Sequence, residues 1–568
     1  MIKNKHVLTL VIIGFLIYFN SLFSSFVWDD EEQILNNTLV HSITNISQFF
    51  SGSTFNTGGS GRLGGLYYKP LMSICFSIIY TFFGAVPFFF HLFQVILHIS
   101  NAILIFLFFG YFFKKSLSLI LAIIFLVHPI NVETVSYISA LQDTLFLFFG
   151  MLALNIIQRE ITSIVSKALL ILLLIFSLLS KETGFIFLVI LPFFALLFER
   201  KKFLSSIISS IAAFGFYLFL RLGVAQIYWT NTGPSPVMKT NFLERAVNAP
   251  QIILFYLKTF FFPKDLAIAQ HWLVKSTDFH NFYLPLIIVS LFFAVLALWG
   301  IFLYKNNKKN FGIFVFFFIW QIAGIGLHLQ IIPLDMTVAE RWFYFPIIGI
   351  LGIIGTIIQK FYLKGDRLPA VKIINGAVLL AIIIIFSLRT IIRNTNWQNG
   401  PSLYSHDIKI SKNAFDLENN LGVEFFRVGR YGEAKIHFEN SIQLAPHWWT
   451  NWNNLGVIYE KEKDFQKAEE FYQKSINNGE YFLAYENLAK LMLFHQDAET
   501  ARNFCRKALK KLPSNSNLWL MLALSEYRSD NKDAALKAAK NSYQLSPNQQ
   551  NSYVYQQLSK NLPLNITP

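Results

Sequence analysis

Four acidic residues stand in a row, Asp29-Asp30-Glu31-Glu32, behind Val27-Trp28 and a hydrophobic segment of residues 7–23. At roughly 1.5 Å per helical residue that segment approaches the thickness of a bilayer core. Carboxylates placed there stand at a membrane surface, where they stay ionised and can still meet a substrate carried by lipid. Other ionisable residues recur at comparable depth: His128 and Glu133 in one stretch, Asp143, the neighbours Lys181 and Glu182, Arg221, and the neighbours Glu340 and Arg341. Such groups are costly in a bilayer and usually line a polar cavity. Together they suit one chemistry. Lys181, Arg221 and Arg341 would hold a phosphate and stabilise it as a leaving group. A carboxylate of the first cluster would take the proton from an acceptor hydroxyl as it attacks a sugar carbon. The matching donor is a sugar on polyprenyl phosphate, whose lipid stays in the membrane. Blander readings stand beside these. The acidic row is also what a solvated loop looks like. His128, followed by Pro129, either caps a helix end or works with Glu133 on a metal or a substrate. Lys181 and Glu182 are either a structural pair or a phosphate contact with its holder. His91 and His98, one heptad apart, read as packed helix-face residues.

The elements that must position these groups follow from composition. The chain has 568 residues, 54% hydrophobic and 17% aromatic, which is not the make-up of an ordinary soluble protein. Residues 1–395 carry the long Ile/Leu/Phe runs and residues 400–568 are polar, so the chain divides near Asn394–Pro401 into a membrane-embedded unit and a soluble one. The net charge of +15 does not point to nucleic acid, because many of the cations sit in short loops between apolar runs. Cys75 and Cys505 fall in different units, and no Cys-x-x-Cys pattern exists. The first segment has a basic start but no small-residue cleavage site, and reads as a retained helix rather than a signal peptide.

Eleven spans are expected, near 7–23, 88–112, 116–130, 141–158, 168–180, 184–198, 203–221, 283–304, 311–330, 343–360 and 373–392. Segments 71–84 and 250–263 are apolar but short, and read as interfacial or re-entrant. With the N-terminus inside, the inner loops hold Lys3 and Lys5, Lys114 and Lys115, Arg159 and Lys167, Arg200 to Lys202, Lys305, Lys308 and Lys309, and Lys360, Lys364, Arg367 and Lys372, with only Glu160, Glu199 and Asp366 as acids. The outer loops collect Asp29 to Glu32, Glu133, Asp143, Glu182, Glu244, Asp265, Asp278, Asp335 and Glu340. Every inner loop then satisfies the positive-inside rule. An odd number of spans puts the polar C-terminal unit outside, on the side of the acids. The first outer loop, 24–70, contains a Gly58–Gly65 run that is no phosphate loop, since no Gly-Lys-Ser/Thr follows and no strand precedes it. Tyr67-Tyr68-Lys69-Pro70 then opens the interfacial segment.

From about residue 415 a 34-residue period appears. Leu421, Gly422, Ala434, Phe438 and Pro446 recur as Leu455, Gly456, Ala468 and Tyr472. They recur again as Leu488, Ala489, Ala501, Cys505 and Pro513, and finally as Leu522, Ala523, Ala535, Ala539 and Pro547. This is the tetratricopeptide pattern, in which small residues let paired helices approach and Pro ends the second. Four repeats over 415–560 exceed the number needed to share a core and stack into a superhelix. Trp448, Trp449 and Trp452 anchor the start of the stack, with one of them available to a peptide. Residues 396–414 form the linker.

Phe26-Val27-Trp28-Asp29-Asp30, His128-Pro129 through Glu133, Lys181-Glu182 and Ala339-Glu340-Arg341-Trp342-Phe343-Tyr344-Phe345-Pro346 resemble GT-C glycosyltransferases. The most similar group is the transmembrane-and-tetratricopeptide-repeat O-mannosyltransferases and their bacterial relatives, with the protein O-mannosyltransferases more distant. The resemblance covers nearly the whole chain. It implies an all-α fold, a multi-spanning GT-C core at 1–395 followed by an extracytoplasmic repeat solenoid. It also implies that Asp29 is the base and that Asp30 either assists it or binds a divalent metal, which some GT-C enzymes use and others do not. The family often has Arg just before the Asp of the fourth span; here Gln142 precedes Asp143, which leaves the sugar open between mannose and another.

The function expected is transfer of a sugar from a polyprenyl-phosphate carrier to Ser/Thr hydroxyls of extracytoplasmic proteins, with the repeats engaging the protein or peptide acceptor. Two alternatives stand: transfer to a glycolipid or cell-envelope polymer, and a non-catalytic scaffold for envelope assembly. Partners are membrane lipids, the lipid-linked donor and the acceptor, with no nucleic acid. The Ile-, Lys- and Asn-rich composition suggests a bacterial inner membrane.

Overall fold

A computed structural model describes residues 5–54, 67–159, 163–228, 235–362, 369–479 and 481–564. The Gly58–Gly65 run and the expected inner-loop residues Lys3, Glu160, Lys364, Asp366 and Arg367 lie outside them. The described chain is all-helical, with one isolated β-bridge between Gln270 and Val338. It separates into two units: Met1–Leu35, Val40–Ser51 and Leu66–Asn413; and Asn36–Leu39, Gly52–Gly65 and Ala414–Pro568.

In the first unit the helices are, in chain order, α1 (Lys5–Tyr18), α2 (Pro70–Phe83), α3 (Pro87–Phe112), α4 (Lys115–Val127), α5 (Val132–Ser136), α6 (Leu141–Ile157), α7 (Ile164–Ser180) and α8 (Phe185–Phe198). They continue with α9 (Phe203–Leu218), α10 (Phe242–Ala246), α11 (Ala249–Phe261), α12 (Leu284–Asn306), α13 (Lys308–Gly326), α14 (Pro346–Tyr362), α15 (Pro369–Asn396) and α16 (Gly400–Asp407). Among the described residues, seven helical runs are long and apolar enough to cross a membrane: Lys5–Phe23, Pro87–Phe112, Ile138–Ile157, Arg200–Val224, Phe279–Asn306, Lys308–Gly326 and Gly376–Asn396. An eighth forms if α4 and Pro129–Ser136, bent by 50° at Pro129, count as one span. Proline breaks the run because it lacks an N–H and clashes with the preceding turn. The other three expected spans correspond to the shorter apolar helices Ile164–Ser180, Glu182–Phe198 and Pro346–Lys360, which fall below the roughly 20 residues of a full crossing. Pro70–Phe83 is a fourth short apolar helix.

These helices are apolar on both faces, as lipid contact requires. On α12, Leu291, Val295 and Leu298 are exposed while Val289, Leu296 and Leu303 are buried. Inside, aromatic rings fill the core. Trp320 stacks on Phe345 at 4.5 Å and donates its indole N–H to the Phe345 carbonyl at 2.9 Å. α13 and α14 pack so closely that a Cβ on Gly349 would sit 2.8 Å from the Gln321 backbone nitrogen. His98 bridges the Tyr344 hydroxyl (2.7 Å) and the Leu126 carbonyl (3.0 Å), a packed helix-face residue.

The second unit contains four helix pairs: α17 (Phe415–Arg427) with α18 (Tyr431–Leu444), α19 (Trp449–Lys461) with α20 (Phe465–Asn478), α21 (Phe482–His495) with α22 (Ala498–Lys511), and α23 (Ser516–Arg528) with α24 (Lys532–Leu545). α25 (Gln549–Ser559) closes the stack. The repeat is visible in single bonds. Ser441, Ser475 and Ser542 each donate a hydroxyl to the first residue of the paired helix, at the carbonyls of Phe415 (2.7 Å), Trp449 (2.7 Å) and Ser516 (2.9 Å). Asn454 donates to Asn419 (2.9 Å) and Asn487 to Asn453 (3.0 Å), so carboxamides tie successive repeats. Gly422 and Gly456 are small of necessity: a Cβ there would meet Phe438 and Tyr472, each at 2.7 Å. Of the three tryptophans, Trp452 donates to the Pro446 carbonyl at 2.8 Å, Trp448 packs on Phe415 and Trp449 fills the space beside Gly479.

Candidate active site

Two consecutive aspartates have different environments. Trp28, just before them, has φ 56°, a left-handed conformation that costs a non-glycine residue about 1–3 kcal/mol. Its N–H donates to the Tyr404 hydroxyl at 3.0 Å and its ring packs edge-on against that residue. Beyond this turn Asp30 is fully buried. Its Oδ1 accepts from the Ser139 N–H (2.8 Å) and hydroxyl (2.6 Å), and its Oδ2 from the Val27 N–H (3.0 Å). Oδ1 therefore ties the loop to the residues just before α6, and Oδ2 closes the turn within the loop. Asp29 is half-buried and shares a hydrogen bond with the Tyr137 hydroxyl, with Arg341 and Lys69 as nearby cations and Asp335 as a nearby acid. Burial pushes the Asp29 carboxyl up to about 6. It pushes Asp30 up to about 7, against three donors that favour the charged form.

The expected phosphate-binding cations occupy three ion pairs. Lys181, at the end of α7, reaches Asp143 in the first turn of α6 at 2.6 Å; the second oxygen of Asp143 is buried without a hydrogen bond. Lys181 is the more exposed partner, and its ammonium carries three donors of which Asp143 takes one. Arg341 pairs through Nη1 with buried Glu133, whose other oxygen accepts the Arg341 N–H at 3.2 Å. Arg221 lies in a π-helical turn after α9 and donates to Glu182 (2.8 Å) and to the Tyr217 hydroxyl (2.9 Å). Its side chain is 2% exposed against 30% for Glu182. Arg221 is thus more deeply buried than the Glu182 it holds. The same Glu182 oxygen accepts the Tyr68 N–H at 3.0 Å and fixes the strand of chain that carries Lys69.

Lys69 belongs to this group although its sequence gave only a lone cation before an apolar helix. It is buried, with its ammonium 4.1 Å from the centre of the Tyr67 ring. Burial lowers it to about 8, while Glu182, Asp143 and Asp335 favour its charge and Lys181 opposes it. Arg341 feels Glu133, Asp335, Tyr137 and Asp143. Asp29, Asp143, Glu182 and Asp335 thus share one electrostatic environment with Lys69, Lys181 and Arg341. His328 adjoins it, stacked on Trp342 at 5.1 Å and held neutral by burial and by Lys181.

Other expected site residues lie elsewhere. His128 is wholly buried, accepting from the Ile130 N–H at 3.2 Å and meeting the Phe260 carbonyl at 3.0 Å, so both ring nitrogens are used in closing the break after α4. Glu340 points away from its neighbour Arg341 into the interior beside Arg393, where burial raises its carboxyl well above the usual range. Arg393 forms a bidentate pair with Asp407 at 2.6 and 2.8 Å, both fully buried, a link that sequence reasoning missed. Glu31 and Glu32 lie in a π-helical turn after the aspartates. Among the described residues no three His, Cys, Asp or Glu side chains gather to hold a metal ion. Asp30, which the resemblance gives as assisting Asp29 or binding a metal, has both oxygens accepting hydrogen bonds from N–H and O–H donors.

Comparison with known proteins adds relatives. A tetratricopeptide repeat family profile matches residues 451–477. The protein O-mannosyl-transferase TMTC3 of Homo sapiens is 22% identical over 492 residues, covering 80% of this chain and 53% of that one. TMTC1 of Homo sapiens is 25% identical over 498 residues (78% and 55%), and tmtc2 of Xenopus laevis 24% over 524 residues (76% and 61%). The chain therefore spans between about half and three-fifths of the length of these relatives. Among solved structures, YrrB, a tetratricopeptide protein described as having an unusual peptide-binding site, is 12% identical, with TM-score 0.24 over 28% of this chain and 82% of that one. Yeast Tom70 is 13% identical, with TM-score 0.26 over 74% and 91%.

Proposed function

For this TMTC-like membrane chain with its tetratricopeptide repeats, we propose that it transfers mannose from a polyprenyl-phosphate carrier to Ser or Thr hydroxyls of extracytoplasmic proteins. The half-buried Asp29 carboxylate, raised to about 6 and set among Tyr137, Arg341 and Lys69, carries this reading. A base must be ionised at working pH yet basic enough to accept a proton, and a carboxyl raised toward neutrality meets both needs.

In the proposed step an electron pair of the acceptor oxygen forms a bond to the anomeric carbon. The bond from that carbon to the phosphate oxygen breaks, and its electrons leave with the phosphate. The hydroxyl proton passes to Asp29. Lys181 and Arg341, each with donors beyond its carboxylate partner, and Lys69 stabilise the negative charge that develops on the phosphate. Asp30 holds the loop in register. A single displacement inverts the anomeric centre.

The relatives' names support a protein acceptor, and a repeat unit of a class that binds peptides supports it independently. The test uses the purified full chain with polyprenyl-phosphate mannose and a Ser/Thr-rich peptide. Asp29→Asn is expected to lower turnover by about 10²–10⁴-fold while melting within a few degrees of wild type. Wild-type turnover by Asp29→Asn, or a product of retained configuration, would sink the mechanism.

A further inference from the structure

We propose that a cavity of about 380 Å³, walled by α11, residues 262–270 and the segment after α16, binds the phosphate of a membrane lipid. It is lined by Phe255, Lys258, Thr259, Phe262, Asp265, Gln270, Lys409 and Ile410, none of which belongs to the site around Asp29.

Its floor has an unmet donor. Gln270 is 7% exposed, its Oε1 accepts from the Trp272 indole at 3.1 Å, and its buried Nε2 has no hydrogen-bond partner. A buried amide donor left unpaired costs about 1–3 kcal/mol, so such a group calls for an acceptor. Its rim is cationic. Lys258 and Lys409 both stand exposed, and the one acid, Asp265, pairs with Lys258 at 3.2 Å. Two cations against one carboxylate leave a single positive charge for one anionic ligand. Its mouth is apolar: Phe262 is 74% exposed, and Phe261 beside it 50%. Aromatic residues next to lysines at the end of a helix are what an interfacial segment presents to lipid.

The walls are also fixed. Arg389 of α15 donates to the carbonyls of Pro263 (3.1 Å) and Lys264 (2.8 Å). Asp407, already held by Arg393, accepts the Ile268 N–H at 2.8 Å. Thr337 donates its N–H to the Gln270 carbonyl at 2.9 Å. These bonds brace the cavity walls. A phosphate there takes its bonds from the Gln270 amide and the two ammonium groups, while acyl chains leave past Phe262 and Phe261.

The full chain in nanodiscs of phosphatidylcholine with and without phosphatidylglycerol gives the test. Native mass spectrometry is expected to show one phosphatidylglycerol retained by wild type. Lys258→Gln with Lys409→Gln should weaken retention by about twenty-five-fold, at about five-fold for each lysine near a lipid phosphate. Gln270→Leu, which keeps both charges, should also weaken it, and separates a seated phosphate from diffuse attraction. The variants should melt with wild type in phosphatidylcholine alone. Equal retention by wild type and the lysine variant would overturn the proposal. So would displacement of the lipid by millimolar inorganic phosphate, which would assign the cavity to the free ion.

Discussion

At the scale of the residue, the two aspartates separate by what their oxygens do. Asp30 accepts three hydrogen bonds from Val27 and Ser139. Asp30→Asn turns a carboxamide N–H toward at least one of those donors, and should destabilise the protein by about 1–3 kcal/mol. Activity should fall in proportion to the folded fraction, read by thermal melting beside turnover. A variant that melts like wild type but has lost turnover would move Asp30 into the chemistry. Asp29 predicts a pH dependence. Its folded value, about 6, lies above the 3.8 of an unperturbed aspartate. As a base it works ionised, so kcat/KM should rise about tenfold per unit below pH 6 and level off above it. For stability the sign is opposite. The folded state binds this proton more tightly than the unfolded chain does. Its contribution is therefore fully present below about pH 4 and lost as pH rises through 6. A flat rate profile from pH 5 to 8 would remove Asp29 as the base.

At the scale of the element, ion pairs connect separate helices. Lys181 with Asp143 ties α7 to α6, and Arg341 with Glu133 ties the turn before α14 to α5. Glu133 is fully buried. Arg341→Gln therefore leaves a charge without its partner, and should cost about 3–5 kcal/mol. Arg341→Met with Glu133→Gln removes both charges. It should recover most of the melting temperature but not turnover, because the developing phosphate charge would still lack its guanidinium. Recovery of both would make the pair purely structural. These pairs also show how far the sequence could be read. Apolar runs and the 34-residue period predict helices because each is a local pattern. The acids and cations of the loops between apolar runs are legible for the same reason, being rare residues in a hydrophobic chain. Partnerships were not. Asp30 meets Ser139, Tyr68 meets Glu182 and Glu133 meets Arg341 across more than a hundred residues each, and no local spacing encodes them. Lys69 escaped notice because its burial depends on Glu182 holding the chain beside it. The pairing of Arg221 with Glu182 is likewise set only by the folded packing.

At the scale of the whole molecule, charge asymmetry makes the reading testable without chemistry. The proposed orientation puts Asp29, Asp335 and the repeats on one side of the membrane and Lys114, Arg200 and Lys308 on the other. The proposal follows from the electrostatics of insertion, in which short loops rich in Lys and Arg stay inside. Three short apolar helices make the count of crossings sensitive, since each one removed from it would reverse the side of everything that follows. Single cysteines at Asp335, Lys308 and Arg430, each in a background where Cys75 and Cys505 are serine, resolve this with a membrane-impermeant maleimide on intact cells. Labelling is expected at 335 and 430 and not at 308 until the membrane is opened. All three positions lie in described, exposed or helix-end segments, so access rather than burial decides the signal. Labelling at 335 but not 430 would place the repeats opposite the proposed base. The repeats could not then present a peptide to Asp29, and the protein acceptor would have to be given up even with the transfer step intact.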